Sequence, residues 1–215
     1  MFVKETIIQH IMYRLILIFF ILTMSCSQQE QRTIKEHECS DSALEYSNKA
    51  VFLIGSNNDS ALFFLKKAEG IDSLCFHVNQ HLLRTYNSIR DYEKSFLVNQ
   101  RFLYIEPQNP QYLQRAGILC HFLGKTQESE EYLQKSLVSY NKYHFSQFYA
   151  KEGYYPSQFY ELEKEICRLL LNREDAPENI NDIIEQIKPE SSDLDVYKNL
   201  TQEKYINFMK NGHLK

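Results

Sequence analysis

The stretch FHVNQHLLRTYNSIRDYEKSFLVNQRFLYIEPQN (Phe76–Asn109), followed by PQYLQRAGILCHFLGKTQESEEYLQKSLVSYN (Pro110–Asn141), reads as two consecutive copies of one helical hairpin. Laid on itself at an offset of 34 residues, the chain opens units at Ser42, Phe76 and Pro110, so a third, more worn copy precedes the two. Position eleven of the first helix holds Phe52, Tyr86 and Cys120, and position seven holds Asn48, Leu82 and Ala116. In the second helix, position twenty holds Ala61, Ser95 and Ser129, and position twenty-seven holds Ala68, Phe102 and Ser136. The register is clean in the second and third units and weaker in the first. A hairpin of this kind cannot bury its own apolar face, so it is expected to stack on the next.

Composition agrees with that reading. The 215 residues are 43% hydrophobic, enough for a core in a single domain or short solenoid. Six glycines and five prolines are few for an all-β chain but suit helices joined by short turns. The net charge of −4, with both signs mixed, leaves no basic footprint for nucleic acid. An all-α chain is expected.

Gly124 and Pro107 stand at a turn and at the end of a unit. With the 34-residue register, they make Ser42 to about Asn141 resemble a tetratricopeptide repeat (TPR) protein. The resemblance implies a short helical-hairpin solenoid of three repeats over residues 42–141, with residues 142–215 as a C-terminal helical cap. It also implies a scaffold that binds a protein or peptide and does not catalyse. The inner helices would line a groove with Tyr46, Ala50, His77, Gln80, His81, Arg84, Asn87, Gln111, Gln114, Arg115 and Ile118. Some members of the family hold a partner's C-terminal carboxylate with lysine, asparagine and arginine. Here the corresponding places are Tyr46, Ala50, His81, Gln111 and Arg115, where only the arginine matches. His77, His81, Arg84 and Arg115 nonetheless gather positive charge on the inner helices of an acidic chain, which favours an acidic or carboxylate-bearing partner. Two arginines can grip one acidic group by paired hydrogen bonds. Protonation of the two histidines below about pH 6.5 is expected to strengthen binding modestly.

Ahead of the repeats, Lys4 and Arg14 precede an uncharged apolar run from Leu15 to Met24, the layout of an export signal over residues 1–25. Met12 is an alternative start. The run is too short for a bilayer that needs about 20 apolar residues. Leu22-Thr23-Met24-Ser25-Cys26 resembles a bacterial lipoprotein signal, which implies lipidation at Cys26 and a membrane partner through that lipid. An uncleaved anchor and ordinary secretion are the other readings. Residues 26–41 are polar and read as a tether, and Ser27 after the lipidated cysteine resembles outer-membrane lipoproteins of the cell envelope.

Within the first unit, Ala43 to Ile54 keeps helical spacing, Gly55–Asn58 breaks it, and Asp59 or Ser60 is expected to cap the second helix. Beyond the repeats, aromatic residues crowd Tyr140 to Tyr160, read as packing between the last repeat and the cap or as a contact surface. Helices are expected over Ser157–Leu171, from Pro177 through Ile187, and over Leu194–Lys210, with a linker at Pro189–Ser192.

No phosphate loop, His-Glu-x-x-His helix or nucleophile elbow occurs in the sequence, so no enzyme and no cofactor are expected. His77 and His81, four apart on one helix, offer a metal-binding alternative with Cys75 or His121, but lining a groove is the reading adopted and no metal site is assigned. Cys39, Cys75, Cys120 and Cys167 are even in number and permit two bridges. Cys120 at a core position and Cys167 in an apolar helix favour buried thiols. A structural subunit of an envelope assembly or export complex is the alternative function, with a metal-handling protein as a remote one.

Overall fold

The computed structural model describes residues 38–142, 157–187 and 197–211. Among them the regular structure is helical, with no strand. In order the helices are α1 (Asp41–Val51), α2 (Asn58–Ile71), α3 (Phe76–Ser88), α4 (Tyr92–Ile105), α5 (Pro110–Phe122), α6 (Thr126–Lys142), α7 (Ser157–Leu170), α8 (Ala176–Ile187) and α9 (Gln202–Asn211). The first six pair as three antiparallel-type hairpins, α1 with α2, α3 with α4 and α5 with α6. Each hairpin packs on the next through α2 on α3 and α4 on α5, and α1 also touches α3. α7 lies on α6, and α8 on α7. None of these helices is long and apolar enough to cross a membrane.

Local chemistry sets the boundaries. Ser40 Oγ accepts from Ala43 N at 3.3 Å and Asn57 Oδ1 from Ser60 N at 3.1 Å, each satisfying a donor that the first turn would leave open. The cap of α2 is therefore Asn57, and Asp59 and Ser60 lie inside the helix. Asp91 and Asn109 cap α4 and α5 in the same way, and Pro110 takes the first position of α5, where its missing N–H costs nothing. α3 has no side-chain cap of its own. Asp72 Oδ1 instead accepts from Leu74 N and Cys75 N, at 3.2 and 3.0 Å, and folds the chain into the helix.

The second helices begin at Asn58, Tyr92 and Thr126, at equal spacing, and each hairpin turn has one residue at positive φ: Gly55 (88°), Arg90 (61°) and Gly124 (72°). The first hairpin carries one residue more before its second helix, and this shifts α1 by one place. Ser47, not Asn48, occupies the inward position and is fully buried, while Phe52 ends the helix 84% exposed and is not a core residue. In the other units the expected core holds. Leu82, Tyr86, Phe102, Ala116 and Cys120 are buried, as are the small residues Ala61, Ser95 and Ser129 where the paired helices approach. At Gly117 the approach is so close that Ser129 Oγ donates to its carbonyl at 2.7 Å.

One core unites hairpins one and two around Leu65, Val78, Leu82 and Phe102. Another joins the third hairpin to α7, α8 and α9 around Leu133, Tyr140, Ile166, Ile180, Ile184, Leu200 and Tyr205. Tyr140 and Tyr160 pack edge to face at 4.9 Å, so these two members of the aromatic cluster are core; Tyr143 to Tyr155 lie outside the described residues. α9 starts at Gln202, well after the expected Leu194. Asn199 takes φ 54° and breaks any helix there, Leu200 is buried, and Thr201 Oγ1 accepts from Lys204 N. The signal stretch, Cys26, and the Pro189–Ser192 linker also fall outside the described residues.

Cys39 and Cys75 form a disulfide, whereas Cys120 and Cys167 are buried free thiols. Burial pushes Cys120 up to about 11 and Cys167 to about 12, so both stay protonated and inert near neutrality. The start of the described chain is not loose tether. Cys39 is bonded to the residue before α3, Ser40 N donates to Asp72 Oδ2 at 3.2 Å, and Ser40 caps α1.

Candidate partner-binding site

The expected groove residues fall into three groups. On α3, His77, Gln80, Arg84 and Asn87 are exposed and His81 is half-buried, so they share one helix face at spacings of three and four. Their opposite numbers on that helix, Val78, Leu82, Thr85 and Tyr86, are in the core, which fixes the direction of the exposed face. His81 anchors this face to α1: its Nδ1 shares a 2.8 Å hydrogen bond with Ser47 Oγ. Burial first, then the neighbouring His77 and Arg84, hold the His81 imidazole below the ordinary histidine value. His81 therefore resists protonation as pH falls through 6.5, and the expected gain in positive charge from both histidines does not extend to it. Arg84 has no acidic partner among the described residues.

The second group is covered by the chain itself. Gln114 and Ile118 are 6% and 5% exposed, and Ile118 belongs to the core shared with α7. Gln114 Nε2 donates to the Glu163 carbonyl at 3.3 Å and its Oε1 accepts from Tyr140 O–H at 2.9 Å. Gln111 Nε2 donates to the Glu163 carboxylate, which also accepts from Tyr140 O–H at 3.2 Å. Gln111, Gln114 and Ile118 thus hold α7 in place and do not line an open groove. The physical cause is the apolar stripe of α7: once Leu162, Ile166 and Leu169 bury against the third hairpin, Glu163 is carried onto the inner face of α5.

The remaining expected residues also have neighbours within the fold. Tyr46 turns toward α2, stacked on Phe64 with ring centres 6.5 Å apart and with the Lys49 and Lys67 ammoniums at 5.3 and 5.6 Å. Ala50 is fully buried. The Arg115 guanidinium lies 6.0 Å from the Phe102 ring centre and 5.7 Å from that of Tyr112, a half-buried stack on two rings. Arg84 and Arg115 therefore do not project as a matched pair.

Comparison with protein-family models, curated proteins and solved structures finds no match.

One other region carries charge. A shallow groove is lined by Asp59, Leu62, Phe63, Lys66 and Lys67 of α2, Tyr86 of α3 and Lys94 of α4, but Lys66 pairs with Glu69 at 2.7 Å and Lys94 with Asp91 at 2.6 Å. Most of its positive charge is neutralised in place. As a metal centre the α3 face lacks ligands, because the Cys75 sulfur is bonded to Cys39 and one nitrogen of His81 faces Ser47. Among the described residues no group of three metal-ligating side chains occurs.

Sequence reasoning missed two residues of this region and one contact of a third. Ser47 keeps the helical spacing of the first unit, but the one-residue shift of α1 hid its repeat position and its bond to His81. Glu163 had a visible signal, an acid one residue after Leu162 in an otherwise strongly amphipathic helix. Asn79, 1% exposed, donates to the Ser73 and Cys75 carbonyls and accepts from Arg101 Nη1 at 2.9 Å, while Arg101 also pairs with Glu69 at 2.6 Å. This polar network joins α2, α3 and α4 and keeps the α3 face in a fixed setting.

Proposed function

We propose that this chain is a non-catalytic scaffold of the tetratricopeptide type, which binds a protein segment on the exposed face of α3 and is held in the bacterial envelope by a lipid on Cys26. The observation that carries the reading is the contrast between repeat-equivalent faces. Gln111, Gln114 and Ile118 on α5 are covered by α7, whereas His77, Gln80 and Arg84 on α3 are exposed. The equal spacing of Asn58, Tyr92 and Thr126 and the left-handed residue in each turn support a true repeat rather than a chance bundle. The sequence of the third unit supports it too, since Leu113, Ala116, Gly117 and Cys120 keep the spacing of the repeat's W-x2-L-G-x2-Y pattern with the glycine in place.

The Cys39–Cys75 bond supports an oxidising compartment, such as the periplasm or the cell surface, and so supports export. The signal-like run ending at Cys26 supports lipidation there, with the outer membrane as the destination. The test is a pulldown from detergent-solubilised membranes with the native chain and with Arg84→Ala. The reading expects a partner captured by the first and lost with the second, at unchanged helicity. Equal capture by both would remove α3 from the account, and a fixed stoichiometric partner would favour a subunit of an envelope assembly. Labelling with a fatty acid should disappear in Cys26→Ala; persistent labelling would refute the anchor.

A further inference from the structure

The chain contains an example of what an inner helix of this stack can receive. On α5, the carboxylate of Glu163 is taken by the Gln111 amide and the Tyr140 hydroxyl, and the Glu163 carbonyl by the Gln114 amide. α7, which packs on α6, therefore reaches the side chains of α5 through Glu163, with the glutamate turned toward them. Thirty-four residues earlier, the places of Gln111, Gln114, Arg115 and Ile118 are held on α3 by His77, Gln80, His81 and Arg84. The amide that binds the α7 backbone is kept, as Gln80. The neutral amide Gln111 becomes an imidazole, and the apolar Ile118, which packs in the core beneath α7, becomes a guanidinium with no acidic partner among the described residues.

We infer that the α3 face takes an acidic helix from a partner protein, held by carboxylates on His77 and Arg84 as the Glu163 carboxylate of α7 is held on α5. This rests on the reading of α3 as the binding face and adds the chemistry of the occupant. His77 and Arg84 are two turns apart, about 10 Å along the axis, so the matching carboxylates lie seven residues apart on the visiting helix. Charge selects that helix: an arginine paired with a carboxylate gains a charge-assisted bond, whereas a neutral or basic helix would leave the guanidinium dehydrated and unpaired. Because Arg84 stands where Ile118 supplies apolar contact to α7, the visiting helix contributes little apolar burial. The complex is one of modest affinity and strong salt dependence. Ser47 matters to it by holding the His81 ring in place beside His77.

The experiment is fluorescence anisotropy with the full chain in detergent and a labelled alanine-based helical peptide carrying glutamates seven residues apart, against its twin with glutamines. The expected result is saturable binding of the glutamate peptide, at least tenfold weaker for the glutamine twin and at least tenfold weaker for Arg84→Ala, with part of the loss restored by Arg84→Lys. Equal binding of the two peptides, indifference to Arg84→Ala, or no binding at all would overturn the inference. If the membrane pulldown depends on Arg84 while the glutamate peptide fails to bind, the occupant is not an acidic helix and the binding face stands. If the pulldown is also indifferent to Arg84, both readings fall.

Discussion

Breaking the Cys39–Cys75 bond should cost the first hairpin much of its stability. The two cysteines are 36 residues apart, and the loop they close contains α1 and α2 entire. In the chain-entropy account, closing a loop of that length removes roughly 13 cal/mol/K from the unfolded ensemble, or about 3.8 kcal/mol at 25 °C. Measured effects usually fall between about 2 and 4 kcal/mol, so that is the expected loss. The residue pair also fixes where the loss appears. In a stack whose units contact only their neighbours, an end hairpin frays first. Once Cys39 is released, α1 remains attached to α3 chiefly through packing and the Ser47–His81 bond. The variant Cys39→Ser with Cys75→Ala avoids burying a new hydroxyl at the fully buried position 75. Urea unfolding with and without reductant should then show the native chain destabilised by reductant and the double variant unaffected by it. Amide exchange should accelerate first in α1 and α2. Alkylation of the unreduced, denatured chain should label Cys120 and Cys167 but neither Cys39 nor Cys75. Labelling of Cys39 and Cys75 without reductant would refute the pairing. A loss below about 0.5 kcal/mol would refute the loop argument.

Gly117→Ala should destabilise the third hairpin by about 1–3 kcal/mol in urea melts despite alanine's better helix propensity, because its Cβ would lie 2.7 Å from Leu133 Cγ and 3.1 Å from the Ser129 carbonyl. Arg90→Gly should do the opposite: a left-handed residue at φ 61° costs an L side chain roughly 1–2 kcal/mol, of which about 0.5–1 should remain as a net gain after glycine's extra freedom in the unfolded chain. Burial alone would raise the Glu69 carboxyl, but hydrogen bonds from Lys66 and Arg101 outweigh it and hold the group below its ordinary 4.5. A depressed carboxyl stabilises the fold above pH 4.5 and loses that contribution as pH falls through the lower folded value, so Glu69→Gln should be less stable than the native chain at neutral pH and converge with it in acid.

The repeat was legible because its signal is local: apolar and small residues recur at 34, and Pro110 and Asn109 mark a helix start in the sequence itself. The slip in the first unit was not. It depends on a single extra residue before α2, absorbed at Gly55, and Ser47 and Asn48 are equally acceptable to the local pattern. The face of α3 was legible for the same reason as the core, since exposed and buried positions alternate on one helix. The fate of the α5 face was not, because it is decided by Glu163, which lies 52 residues from Gln111 and joins it only after α7 has packed. The disulfide has the same origin. Cys39 precedes the first hairpin and Cys75 precedes the second, and only stacking brings them together.

Site-specific photo-crosslinking in intact cells tests whether α3 is the face that meets the partner. A photoreactive residue at Gln80, exposed in the middle of the α3 face, is compared with one at Tyr104, 81% exposed on α4. A discrete adduct is expected from position 80 that disappears when Arg84→Ala is added, and none from position 104. An adduct from Tyr104 with none from Gln80, or one from Gln80 that survives Arg84→Ala, would contradict α3 as that face.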